Sequence, residues 1–190
     1  MIVGGKHYTE VNYSSLNIYP KLSKFLYVNG RESFASILKK IKLNKIDKIY
    51  IPNYICSSLL NVIKRFELNI HFYDIDNNFD FSIPNVKNSI ILVINYFGKK
   101  KNIDPKLFNK NIIIEDKTLQ INNLKKIQKF KKKNYYYFGS LRKIFSSLIC
   151  GYSSIKNKSK KKDYNIEQLQ MECFAATLLR KEYLNNFNYI

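Results

Sequence analysis

Asn111-Ile112-Ile113-Ile114-Glu115-Asp116 decides the fold. Three consecutive isoleucines leave no polar alternation. A strand built from them is buried on both faces, as in the interior of a parallel sheet. Ser89-Ile90-Ile91-Leu92-Val93-Ile94-Asn95-Tyr96 is a second run of the same kind, ended by Gly98. Upstream, Lys48-Ile49-Tyr50-Ile51-Pro52 reads as a short strand stopped by its proline, and Ile70-His71-Phe72-Tyr73-Asp74-Ile75 as another. Phe79-Asp80-Phe81, after the Asn77-Asn78 turn, reads as one more short extended piece. Helical periodicity lies between these runs. Phe34, Ile37, Leu38 and Ile41 recur at i, i+3, i+4 and i+7 after an Asn29-Gly30 turn, and Leu59, Leu60, Ile63 and Phe66 share one face of Ile55 to Phe66. Asp104-Pro105 opens a short helical segment. The alternation predicts an α/β domain with a mainly parallel sheet flanked by helices.

A lysine-rich connection, Lys125 to Lys133, leads from Asp116 to Tyr135-Tyr-Tyr-Phe-Gly-Ser-Leu-Arg-Lys-Ile-Phe-Ser-Ser-Leu-Ile-Cys-Gly151. Tyr135 to Phe138 has strand character. The strand is expected to break at Gly139 and to present Ser140, Arg142 and Lys143 together. Lys143 is set among apolar residues, with Leu141 before it and Ile144 and Phe145 after it. A lysine held among apolar groups loses hydration, and its pKa falls. The neutral amine is the form that attacks a carbonyl to make a Schiff base. The plainer alternative is a lysine whose charge snorkels out of an apolar patch.

In an open α/β sheet, ligands bind beyond the carboxyl ends of the strands. The sequence puts Asp116 and Lys143 there, and the helix start at Gly30-Arg31 could add an anion site. An acid, an amine and a phosphate cradle on one sheet edge suit pyridoxal 5'-phosphate. That cofactor takes a Schiff-base lysine, a carboxylate at its pyridine nitrogen and backbone groups around its phosphate. Taken singly, the parts have plainer readings. Asp116 suits a turn or cap, Gly30 a turn, His71 an ordinary strand position, and the Tyr135 run a core rather than a base-stacking platform. Glu115 is expected to face a neighbouring helix or solvent. His7 has no visible partner.

The chain carries a net charge of +19 over 190 residues, with 15 Tyr, 13 Phe and no Trp. Such a charge invites a nucleic-acid reading. The lysines, however, come with abundant Asn, Ile and Tyr, the mixture that AT-rich codons produce. Nucleic acid is therefore not required as a partner, and the run from Lys156 to Lys162 reads as a solvated loop. Cys56, Cys150 and Cys173 lie far apart without metal-ligand spacing and suit free thiols in a reducing cytoplasm. No metal is expected. The N-terminus lacks the pattern of a signal peptide, and no stretch is apolar enough to span a membrane.

Several short motifs occur in a telling order: Gly4-Gly5, Gly30-Arg31, Ile51-Pro52-Asn53-Tyr54 with Cys56, Phe72-Tyr73-Asp74-Ile75, Tyr96-Phe97-Gly98, Ile114-Glu115-Asp116 and Ser140-Leu141-Arg142-Lys143. Together they resemble the DegT family of pyridoxal-phosphate-dependent aminotransferases, in a divergent branch whose lysine motif reads Ser-Leu-Arg-Lys followed by an aromatic. The resemblance implies the type I aminotransferase fold and, if the chain is active, amino transfer to a nucleotide-linked keto-sugar or similar small carbonyl substrate. It implies Lys143 as the Schiff-base lysine, Asp116 at the pyridine nitrogen, and Ser140 with the Gly30-Arg31 backbone at the phosphate. Tyr54 and Tyr96 line the implied pocket, with the ring-stacking role open between them. It also implies a cytoplasmic homodimer with a small amino donor and a keto acceptor.

Three positions depart from the family pattern. Leu119 stands where His or Gln is usual, Cys150-Gly151 where Gly-Gly is common, and no acceptor-pocket residue is recognisable after Lys143. The expected organisation is an N-terminal arm over 1–29, an incomplete cofactor-binding large domain over 30–165, and a connecting helix over 166–190, with Ile166 to Phe187 helical, toward an absent smaller domain. A C-terminally truncated, inactive remnant is the alternative, and a basic nucleic-acid-binding module a further one.

Overall fold

The computed structural model describes residues 25–42, 46–120, 133–143 and 151–156. The expectations for Gly4-Gly5, His7, most of the Lys125 connection, the segment after Lys143 with Cys150, the lysine loop and the Ile166 helix lie outside these residues.

The described residues build one seven-stranded sheet. Its strands are β1 (Leu26–Tyr27), β2 (Lys48–Pro52), β3 (Asn69–Tyr73), β4 (Ile90–Ile94), β5 (Ile112–Asp116), β6 (Tyr135–Ser140) and β7 (Gly151–Ser153). The order across the sheet is β1-β7-β6-β5-β4-β2-β3. The pairs from β3 through β6 are parallel, and β7 runs antiparallel to both β6 and β1. β4 and β5 are buried along four of their five residues, as their unbroken apolar runs require. The chain passes from β2 out to the edge strand β3 and returns to the other side of β2. The β2/β4 boundary is therefore the point where strand order reverses, the position at which such sheets form a ligand crevice.

Three helices lie between the strands: α1 (Gly30–Lys42), α2 (Ser57–Lys64) and α3 (Leu107–Lys110). Asn29 caps α1, its side-chain oxygen accepting the Glu32 N–H at 2.9 Å. The stripe Phe34, Ile37, Leu38 and Ile41 is fully buried. It packs with α2 residues Leu59, Val62 and Ile63 on one face of the sheet, against Ile49, Ile51, Leu92, Ile114 and Phe138. Phe34 stacks on Phe138 with ring centres 4.7 Å apart. The other face buries Tyr73, Phe81, Ile91, Val93, Phe108 and Ile113.

The structure corrects three readings. Phe79-Asp80-Phe81 is a turn and not a strand: Phe79 adopts φ 58, and Asp76 accepts the N–H groups of Asn78 and Asp80. β6 does not break at Gly139 but runs on through Ser140. Gly139 serves packing there, since a Cβ at that position would sit 2.5 Å from the Tyr152 ring. Residues Leu26–Tyr27, read as arm, form the edge strand beside β7. Both β1 and β7 are too short for period-2 alternation to mark them.

Candidate functional site

Four parallel strands deliver their carboxyl ends to one edge of the sheet. β5 ends in Asp116, β6 in Ser140 followed by a 3-10 turn over Leu141–Lys143, β2 runs out to Tyr54, and β4 to the Tyr96–Gly98 turn. The N-terminus of α1 comes to the same edge. A Cβ on Gly30 would lie 3.1 Å from Ser140 Cβ and 3.5 Å from the Gly139 carbonyl oxygen. Gly151 makes room from below, where a Cβ would fall 2.3 Å from the Asn29 backbone and 2.6 Å from the Gly30 nitrogen. The first-turn N–H groups of Gly30 and Arg31 have no carbonyl four residues earlier within the helix, and Gly30 lies against Ser140.

Asp116 ends β5 and Lys143 ends the turn after the neighbouring β6, on the same edge. Asp116 is half-buried and densely surrounded, and withdrawal from water raises its carboxyl above the usual range. The Thr118 hydroxyl and backbone N–H, the latter 2.8 Å from Oδ1, work against that rise, as does the nearby Lys143 ammonium. Glu115 adds to it. Lys143 itself is exposed, which corrects the expectation of an apolar envelope. In the 3-10 turn Leu141 is buried, while Arg142 and Lys143 are exposed. Arg31 is likewise exposed.

Tyr96 hydrogen-bonds through its hydroxyl to the Tyr54 carbonyl oxygen, and the two rings lie 5.9 Å apart at 52°. Burial pushes the Tyr96 hydroxyl upward, and the Asp116 charge, Tyr54 and Cys56 push the same way. Tyr96 is thus tied to the β2 end, and the preceding Asn95 donates its N–H to the Asp116 carbonyl at 3.2 Å. Tyr54 is 62% exposed, and Phe79 packs edge-on against it and against Phe97. Leu119 is exposed beside the turn at Gly98, whose φ of +80 would place any Cβ 2.8 Å from the Leu119 carbonyl oxygen.

The structure brings together Gly30 with Ser140 and Tyr54 with Tyr96, and sets Asp116 and Lys143 at the ends of neighbouring strands. Sequence reading missed three contributors. Thr118 holds Asp116, and its Asp-x-Thr spacing is an Asx-turn signal that could have been read. Tyr152 reaches over Gly139 to donate to the Lys117 carbonyl at 2.9 Å. Glu115, expected at a helix or in solvent, is buried: it accepts from Asn95 at 2.7 Å and from the Tyr135 hydroxyl, and pairs with Lys117 at 3.2 Å. Among the described residues, no group of His, Cys, Asp and Glu side chains could hold a metal ion, and no helix is long and apolar enough to cross a membrane.

No family model and no curated protein matches the sequence. Solved structures do match. A Streptococcus pneumoniae protein assigned as a sugar aminotransferase, in its PLP form, superposes with a TM-score of 0.52 at 13% identity, over 82% of this chain and 48% of its own. GDP-4-keto-6-deoxymannose-3-dehydratase (ColD) with bound GDP-perosamine gives 0.51 at 18% identity, over 70% and 39%. Plasmodium falciparum aspartate aminotransferase gives 0.46 at 16%, over 87% and 48%. The chain thus spans about half the length, or less, of these proteins. At such identities the likeness is one of fold. The seven-stranded mixed sheet with its flanking helices has the type I fold of the PLP-dependent aminotransferases.

Proposed function

We propose that this chain is the cofactor-binding part of a PLP-dependent aminotransferase that acts on a nucleotide-linked keto-sugar or a similar small carbonyl compound. The observation that carries this reading is the convergence on one sheet edge of Asp116 at the end of β5, Lys143 in the turn after the neighbouring β6, and Gly30 against Ser140. The fit to the cofactor rests on the same features. Gly30, lacking a side chain, leaves the α1 N-terminus open for a phosphate, with Ser140 as a hydroxyl donor at its side. Asp116 offers a carboxylate, oriented by Thr118, to the pyridine nitrogen. Lys143 offers the amine for covalent attachment.

When bound, pyridoxal phosphate supplies the electron sink that makes amino-group transfer possible. The chain's own residues do the rest. Asp116 would hold a proton on the ring nitrogen, and that positive partner would offset the burial that raises its carboxyl. Lys143, exposed on the turn after β6, would carry the proton that must move on the substrate side. Tyr54 and Tyr96, tied to each other, form one wall of the crevice. The sugar substrate draws support from the two solved structures above a TM-score of 0.5, one assigned as a sugar aminotransferase and one holding a GDP-linked sugar. The same reading makes the working form a cytoplasmic homodimer.

The test is an absorbance spectrum of the full chain with added pyridoxal phosphate, beside a Lys143→Ala variant. A visible band in the wild type that is lost in the variant is the expected result. A folded wild-type protein without that band overturns the reading and leaves an inactive remnant. Binding of nucleic acid that weakens steeply with salt would instead favour a basic binding module.

A further inference from the structure

Glu115 and Asp116 are consecutive in β5, so their side chains leave the sheet on opposite faces. Asp116 belongs to the crevice. Glu115 belongs to the rear face, where it is 2% exposed and lines an open cavity of about 390 Å³ with Lys100, Lys101, Phe108 and Tyr135. Such a carboxylate is costly to bury unless every lone pair finds a donor. Three donors reach it: Asn95 Nδ2, Tyr135 Oη and Lys117 Nζ.

Asn95 is the informative partner. It is 2% exposed and makes hydrogen bonds through all four of its polar groups. Its N–H donates to the Asp116 carbonyl at 3.2 Å and its carbonyl accepts the Gly98 N–H at 3.2 Å. Its side-chain oxygen accepts the Lys101 N–H at 3.0 Å, and its side-chain amide donates to Glu115. The turn over Tyr96–Gly98 is thereby closed onto Asn95, which is itself tied to the tip of β5 through Glu115 and the Asp116 carbonyl. Phe97 holds φ 52 and Gly98 φ 80, conformations that such a clamp sustains.

We propose that Asn95 and Glu115 are positioning residues: their rear-face hydrogen bond fixes the turn that holds the Tyr96 hydroxyl on the Tyr54 carbonyl at the crevice. The inference rests on the cofactor reading of that crevice, but the clamp itself can be measured without cofactor. The Glu115 carboxylate fixes which way the Asn95 amide points, since only its nitrogen can donate to Glu115 and only its oxygen can accept from Lys101. Breaking the pair frees the Tyr96 turn without touching a crevice side chain.

The test compares wild type, Asn95→Asp, and the exchange variant Asn95→Asp/Glu115→Gln, in the full chain. Asn95→Asp sets two carboxylates against each other at hydrogen-bond distance. The exchange variant keeps one amide and one carboxylate in the pair, with donor and acceptor swapped. The first readout is hydrogen exchange at Gly98 and Lys101 in cofactor-free protein. The second is affinity for pyridoxal phosphate from absorbance titration. Asn95→Asp is expected to speed exchange at both amides and to weaken affinity, each by about tenfold, the effect of one lost buried hydrogen bond. The exchange variant should restore both to within about twofold, which a general loss of packing would not allow. Unchanged exchange in Asn95→Asp overturns the clamp. Faster exchange with unchanged cofactor affinity overturns its action on the site. If the wild type binds no cofactor, the function proposed above falls, and the positioning role falls with it if exchange is also unchanged. Faster exchange that the swap reverses would still uphold the clamp on the Tyr96 turn.

Discussion

Gly30 and Ser140 approach so closely that a Cβ on Gly30 would lie 3.1 Å from the Cβ of Ser140. Carbon atoms pack comfortably nearer 3.5–4.0 Å, so a methyl group here would push the serine away from the α1 N-terminus. Gly30→Ala should therefore weaken pyridoxal phosphate binding by roughly tenfold, the loss of one good contact to the phosphate. Stability should hold, because alanine in a helix gains up to about 1 kcal/mol over glycine and offsets the contact. Absorbance titration and thermal unfolding check the two halves separately.

Gly151→Ala meets backbone instead of a movable side chain. Its Cβ would fall 2.3 Å from the Asn29 carbonyl and 2.6 Å from the Gly30 nitrogen. Relief requires β7 and the α1 start to separate. A loss of about 3 kcal/mol is expected, at the upper end for overpacking. Urea unfolding of this variant beside Gly30→Ala gives the comparison, and equal stabilities would contradict the packing described here.

Asp116 supplies a pH-dependent prediction. Burial raises its folded-state pKa above the unfolded value. The native state then holds the proton more tightly, so stability falls as pH rises through the folded pKa. Asp116→Asn removes that liability and keeps an oxygen for the Thr118 N–H. The variant should melt at a higher temperature than wild type at neutral pH, with the gain vanishing below about pH 4, where both states of the aspartate are protonated. Its affinity for pyridoxal phosphate should fall at the same time. Melting curves across pH, without cofactor, settle the sign.

Much of this arrangement was legible in the sequence, and the limits have physical causes. β4 and β5 were readable because a strand buried on both faces has to be continuously apolar, and Ile90 to Ile94 and Ile112 to Ile114 are. The α1 stripe was readable because its period of 3.6 survives unbroken through Ile41. Phe79 misled because an aromatic pair around Asp80 imitates strand alternation, while the turn is made by Asp76 accepting backbone N–H groups, a contact with no pattern of its own. Lys143 misled for a related reason. Its sequence neighbours are apolar, but a 3-10 turn buries Leu141 and turns the lysine out. Glu115 was misplaced because its donors come from Asn95, Tyr135 and Lys117, and only Lys117 lies within two residues of it.

The exposure of Lys143 makes the last prediction sharp. An exposed side chain on a surface turn contributes little to packing, so Lys143→Ala should alter stability by no more than about 0.5 kcal/mol. It should nevertheless be felt at Asp116. The lysine ammonium is one of the groups that hold the raised Asp116 carboxyl down. Without it, burial and the Glu115 charge act with less opposition, and the Asp116 pKa should climb further. Carbon-detected NMR titration of the Asp116 carboxyl in wild type and Lys143→Ala measures this directly, in protein that has never met cofactor. The difference should shrink as salt is added, because the lysine lies toward solvent. An Asp116 titration identical in the two proteins would separate the acid from the amine, and with them the two groups on which the cofactor reading depends.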